Sequence, residues 1–167
     1  MSPKVYTIGH SNVEPDEFIK RLKQFSIQFL IDVRSKPYSQ YVPSFNKDKI
    51  ECLCKEIGIN YLFLGALLGG KPEDDSITDK GRKINYDLLA EKDYFLSGID
   101  KVLDLASKHI VCLMCSEGKP DKCHRSLLLG PLLEKKGIEV LHILPDGTAI
   151  NSEQLKLEIN KGQLTLF

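Results

Sequence analysis

Apolar runs alternate with amphipathic stretches along the whole chain. Val5-Tyr-Thr-Ile8 is a short β-branched and aromatic run stopped by Gly9-His-Ser-Asn12, the pattern of a strand ending in a turn. Glu14-Pro-Asp-Glu17 opens a helix, with Pro15 suited to the first turn and early acids complementing the helix dipole. Phe18, Ile19, Leu22 and Phe25 then recur at helical spacing. Phe29-Leu-Ile-Asp-Val33 is apolar nearly throughout, as a strand covered on both faces should be.

The alternation continues. Asn46 is placed to cap a helix carrying Ile50, Leu53, Cys54 and Ile57, with Gly58 as a left-handed stop. Tyr61-Leu-Phe-Leu64 is a third strand, and the Gly- and Asp-rich stretch from about Gly65 to Asn85 is expected to be a long functional or mobile loop. Phe95, Ile99, Val102, Leu103 and Ala106 form one helical stripe between Tyr94 and Lys108, ahead of a fourth strand, Ile110 to Met114. A helix from Arg125 runs through Leu127, Leu128, Pro131 and Leu132 to a stop at Gly137, and Pro131 should kink or restart it. Val140-Leu-His-Ile143 is a fifth strand, and Asn151-Ser152 caps a last short helix. Strands alternating with helices predict an α/β fold: one three-layer domain over residues 1–160 with a mainly parallel five-stranded sheet, followed by a tail, 161–167.

Composition narrows the classes. Lys plus Arg and Asp plus Glu are 23 each, so no global basic field points to nucleic acid or membrane. No apolar run is long enough to span a bilayer and Met1-Ser-Pro-Lys4 lacks a signal peptide's apolar core, so a cytoplasmic protein without membrane contact is expected. Its cysteines, Cys52, Cys54, Cys112, Cys115 and Cys123, are then expected as reduced thiols.

The densest chemistry lies after the fourth strand, where Cys115, Glu117, Lys119, Cys123, His124 and Arg125 fall in one polar turn entering a helix. Open α/β sheets carry ligand sites at such strand ends. A cysteine at a helix start beside Arg and His has its pKa lowered to about 3.5–7.5. Cys123, His124, Glu117, His10 and Asp32 are the candidate catalytic groups: thiolate, proton carriers and carboxylates. Arg125, Arg34, Ser11 and Cys115 are candidates to hold an anion or substrate, since a guanidinium grips phosphate or carboxylate through a planar fork. Asp32 with Arg34 reads equally as a structural ion pair, and His142 as a semi-buried strand histidine. No metal and no cofactor are expected: Cys112-x-x-Cys115 has zinc-like spacing, but a strand turns those side chains to opposite faces, and adjacent Cys123 and His124 share one ion awkwardly.

Thr7-Ile-Gly-His-Ser11, Ile31-Asp-Val-Arg-Ser-x-Pro37, Leu68-Gly-Gly70 and Cys115-x-Glu-x-x-Pro-x-x-Cys-His-Arg125 together resemble the bacterial and archaeal family called domain of unknown function 488, over about residues 5 to 147. The resemblance implies a pocket made by His10, Asp32, Arg34, Glu117, Cys123, His124 and Arg125. A looser likeness is to rhodanese-like sulfurtransferases, which also have Asp-Val-Arg after a strand and a cysteine leading into an anion-binding loop. The ten-residue step from Cys115 to Arg125 is longer and poorer in glycine than their active loop, which argues against a persulfide on Cys115.

The tail Gln163-Leu-Thr-Leu-Phe167 resembles the pentapeptide by which bacterial repair and replication proteins bind the sliding clamp. In that reading Leu164, Leu166 and Phe167 supply apolar anchoring and Gln163 a hydrogen bond at the pocket rim, with a strength of about −8 kcal/mol, near micromolar. Docking of the tail on its own domain is the alternative. Three functions remain open: an enzyme acting on nucleic acid or a nucleotide and tethered to DNA by the tail, a thiol enzyme or sulfurtransferase on a small molecule, and a non-catalytic module sensing a nucleotide or anion.

Overall fold

A computed structural model describes residues 2–79 and 83–165, and for 162–165 the backbone alone. Among the described residues six strands form one sheet: β1 (Lys4–Gly9), β2 (Phe29–Asp32), β3 (Asn60–Phe63), β4 (Val111–Cys115), β5 (Glu139–Ile143) and β6 (Ala149–Asn151), in the order β3-β2-β4-β1-β5-β6. The first five are parallel, and β6 adds to β5 antiparallel. The expected five-stranded sheet is thus one short. β6 is only three residues, Ala-Ile-Asn, too brief to show alternation, and it follows a turn at Asp146 and Gly147 that returns the chain along β5.

Period-two alternation sorts each strand onto two cores. Ile8, Leu30, Cys112 and Met114 face α1 (Pro15–Gln24) and α2 (Lys47–Ile57), whose Phe18, Leu22, Ile50 and Cys54 are buried. Val5, Ile31, Val111 and Leu113 face the other layer, built from α3 (Gly65–Leu68), α4 (Tyr86–Leu89), α5 (Asp93–Ala106) and α6 (Gly130–Lys135). Each large apolar side chain so buried contributes about 1.5–3 kcal/mol. The segment from Gly65 to Asn85, expected as loop, instead begins with α3, whose Leu68 is fully buried in that second core, and contains a 3₁₀ turn at Asp75–Ile77.

Several ends follow from single residues. Pro15 lies in the first turn of α1, and Gly58 ends α2 with φ of 80°. Asn46 stands at the N-cap of α2, but its side chain accepts from the Ser39 N–H (2.7 Å) and ties down the preceding loop instead of capping the helix. Asn151 and Gln154 exchange side-chain to backbone bonds of 2.9 Å, a reciprocal capping box that starts α7 (Ser152–Thr165). Pro131 lacks the N–H an unbroken helix would use, and the chain absorbs this with a π-helical turn at Arg125–Leu129 before α6.

The connection from β1 passes to one face through α1, whereas that from its neighbour β4 passes to the other through α6. The C-terminal ends of β1, β4 and β2 therefore border the crevice where such sheets bind ligands.

Candidate active site

The loop after β4 crosses directly over the end of β1. Its position is set by backbone: His10 N–H donates to the Cys115 carbonyl (3.0 Å) and Ser11 N–H to the Ser116 carbonyl (2.8 Å). Gly9 is required under that crossing, because a Cβ there would lie 1.5 Å from the Glu117 carbonyl oxygen. Ser11 holds φ of 48°, an uncommon conformation for a residue with a side chain, and packs its Cβ against Gly118.

Within this loop the structure brings Cys115 and Cys123 together, with sulfurs 2.9 Å apart. Both are buried, and no disulfide joins them. The two share their protons unequally. The hydrogen bond between the two sulfurs, then His124 and the Arg125 N–H, lower the Cys123 pKa to about 4 against the opposing effect of burial. That hydrogen bond and burial push Cys115 well up, and its sulfur also lies 3.7 Å from the Glu117 carbonyl, which favours the protonated form. The pair's negative charge is thus favoured on Cys123 over Cys115. His124 Nδ1 stands 3.7 Å from the Cys123 sulfur. Gly70 packs on the His124 ring, where a Cβ would come within 3.0 Å.

Glu117 is exposed, and its carboxylate, Cys115 Sγ and Cys123 Sγ lie within 4.8 Å of one another. Two thiols and a carboxylate suit a thiophilic divalent ion, but two sulfurs on tetrahedral zinc stand about 3.8 Å apart, wider than found here. Cys112 points into the opposite core, fully buried, with its thiol pushed up by burial.

Arg125 departs from expectation. It is fully buried and donates to Thr7 Oγ1 (3.0 Å) and to the carbonyls of Glu117 (3.1 Å) and Gly118 (2.9 Å). The π-helical turn carries its side chain under the loop instead of toward solvent. It therefore braces the loop from beneath, and among the described residues no carboxylate pairs with it. Thr7 Oγ1, accepting from Arg125, donates to His142 Nδ1 (2.7 Å). His142 is fully buried, and burial with the nearby Arg125 charge lowers its pKa to about 4.

The ends of β1, β2 and β3 carry a second network. Asp32 is fully buried and receives Arg34 Nε (2.8 Å), Arg34 Nη2 (2.7 Å), the Arg34 N–H (3.1 Å) and the Tyr61 hydroxyl (2.6 Å). Arg34 Nη1 donates to His10 Nε2 (3.2 Å), so His10 carries its proton on Nδ1, which donates to the Ser11 carbonyl (2.7 Å). Burial and Arg34 lower the His10 pKa, and its ring stacks on Phe45 at 4.7 Å. This neutral tautomer leaves His10 no free lone pair for proton transfer. Arg34 and Arg125 do not form one anion clamp: each guanidinium is buried and bonded to different internal groups. Ser11 reaches only Asn12, at 3.4 Å.

Tyr61 and Tyr86 were not predicted from sequence. Tyr86 has its pKa raised by burial and then by the charges of Cys123 and Glu117, which places its hydroxyl in the field of the thiolate. A shallow depression of about 450 Å³ lined by Ser35, Lys36, Lys71, Asp74 and Tyr94 lies beside this region, and neither cysteine of the pair lines it. In the tail, α7 carries Gln163 and Leu164 as helix to Thr165, whereas Leu166 and Phe167 lie outside the described residues.

Sheet order and site together define a doubly wound α/β domain with two close, buried cysteines at the C-terminal end of a central strand. The sequence profile described as Domain of unknown function DUF488 matches residues 14–132, and the chain belongs to that family. No curated protein and no solved structure matches the chain. Among the described residues, no helix is long and apolar enough to cross a membrane.

Proposed function

We propose that this chain is a thiol-dependent enzyme acting on a small electrophile, with Cys123 as nucleophile. The observation that carries this reading is the pair of buried sulfurs, Cys123 and Cys115, 2.9 Å apart at the C-terminal end of β4, with the Cys123 pKa lowered. A depressed pKa in a structured loop is the usual mark of a reactive cysteine. Burial of both sulfurs favours a small reagent over a macromolecule. Sulfane-sulfur donors such as thiosulfate suit the site, because the reacting end is a single sulfur atom. Incubation with thiosulfate followed by mass measurement of the intact protein tests this: a sulfur atom retained on Cys123 is expected from a chain without Cys115, and an unmodified, folded protein would reject the reading.

A second reading, an enzyme on nucleic acid or a nucleotide tethered to DNA, is supported by the terminal pentapeptide Gln163-Leu-Thr-Leu-Phe167. Tethering raises local concentration without new contacts at the active site. It predicts capture by purified sliding clamp that is lost on removing residues 163–167; equal capture of both chains counts against it.

A further inference from the structure

We propose that Cys115 is a resolving thiol, so that a sulfur atom taken up by Cys123 leaves as hydrosulfide and the pair ends as a disulfide. This rests on Cys123 being the nucleophile of the preceding reading. Three observations support it. The sulfurs need approach by only about 0.9 Å to reach disulfide bonding distance, from 2.9 Å. The two are chemically unequal, Cys123 lowered and Cys115 raised in pKa, which is what an attacking and a resolving partner require. The buried Arg125 charge favours an anion on Cys115, and so assists its ionisation when a proton acceptor arrives.

The steps balance. The Cys123 thiolate attacks the outer sulfur of thiosulfate, a sulfur–sulfur bond forms, and sulfite departs with the electron pair of the broken bond. The persulfide's negative charge then resides on its outer sulfur. Cys115 gives its proton to that outer atom and attacks Cys123 Sγ; the new bond is the Cys115–Cys123 disulfide and the leaving group is HS⁻. Two equivalents of a low-molecular-weight thiol reduce the disulfide and restore the starting state. The remaining cysteines cannot substitute, since Cys112 and Cys54 are buried in the α1/α2 core and Cys52 lies on the exposed face of α2 beside Glu56.

The test is a single turnover of reduced protein with excess thiosulfate and no added thiol. The expected result is one hydrosulfide released per chain and a protein lighter by two hydrogens, with peptide mapping placing the disulfide at Cys115–Cys123. Cys115→Ser should instead retain one extra sulfur atom and release no hydrosulfide. A wild-type chain that ends as a stable persulfide, without hydrosulfide, overturns the resolving role while leaving Cys123 as nucleophile. Folded wild-type protein that takes up no sulfur and releases none removes both proposals. Should Cys115→Ser fail to fold, the wild-type products decide alone.

Discussion

The ionisation of Cys123 sets a measurable pH signature. An ordinary cysteine of pKa about 8.5 is roughly 0.3% thiolate at pH 6, whereas Cys123, lowered to about 4, is essentially all thiolate there. That is a gain of about 300-fold in the reactive form. Nucleophilicity falls with pKa at a Brønsted slope of about 0.4–0.5, so 4.5 units of lowering cost about 100-fold in intrinsic rate. Cys123 should therefore alkylate roughly threefold faster than a free thiol at pH 6 and roughly fifty-fold slower at pH 8.5 before any slowing by burial. Because burial scales both figures alike, the shape of the profile is the discriminating feature. Alkylation by iodoacetamide, followed by peptide mass spectrometry, should give a Cys123 rate that is flat between pH 6 and pH 8. A free low-molecular-weight thiol under the same conditions should climb nearly tenfold per unit. Cys115→Ala removes the largest cause of the lowering and should restore a rising profile at Cys123. A wild-type Cys123 rate that climbs in parallel with that free thiol refutes the thiolate assignment and the chemistry built on it.

Three further outcomes are expected. Arg34→Met leaves Asp32 buried with its charge unpaired and should cost about 3–5 kcal/mol; urea unfolding that shows under about 1 kcal/mol would mean the pair is not buried as described. Gly9→Ala should collapse the site, because its Cβ meets the Glu117 carbonyl at 1.5 Å; persistence of the flat Cys123 alkylation profile in that variant would contradict the crossing. His142, depressed from 6.5 to about 4, binds its proton more readily when unfolded. Its neutral form thus stabilises the fold above pH 6.5, and that contribution, a few kcal/mol by linkage, is lost as pH falls toward 4. Urea midpoints measured from pH 7 to pH 4.5 should fall more steeply in the wild type than in His142→Gln.

The layers were readable because each face of the sheet repeats a simple pattern: Phe18 and Leu22 for α1, Phe95, Ile99 and Val102 for α5, and the fully apolar β4. Pro131, Gly58 and Gly137 marked their breaks through backbone rules that need no tertiary knowledge. The site was legible as a set of residues but not as a wiring diagram. Arg125 looked like an anion clamp because a helix start was visible and its π-helical turn was not. Thr7 meets His142 only because β1 and β5 are neighbours, a fact of strand order. Tyr61 reaches Asp32 for the same reason across β2 and β3. Cys115 pairs with Cys123 because the Gly9 crossing folds the intervening loop back, and no spacing rule encodes that crossing.

The Arg125 main-chain N–H and the His124 ring, both beside the Cys123 sulfur, have a bearing on how easily the proposed disulfide is undone. Joining the two sulfurs erases the anion that these groups favour, so the oxidised state forfeits an interaction the reduced state keeps. A dithiol favoured in this way yields a strongly oxidising pair. Its bridge would open readily to ordinary cellular thiols, returning the protein to readiness after each cycle.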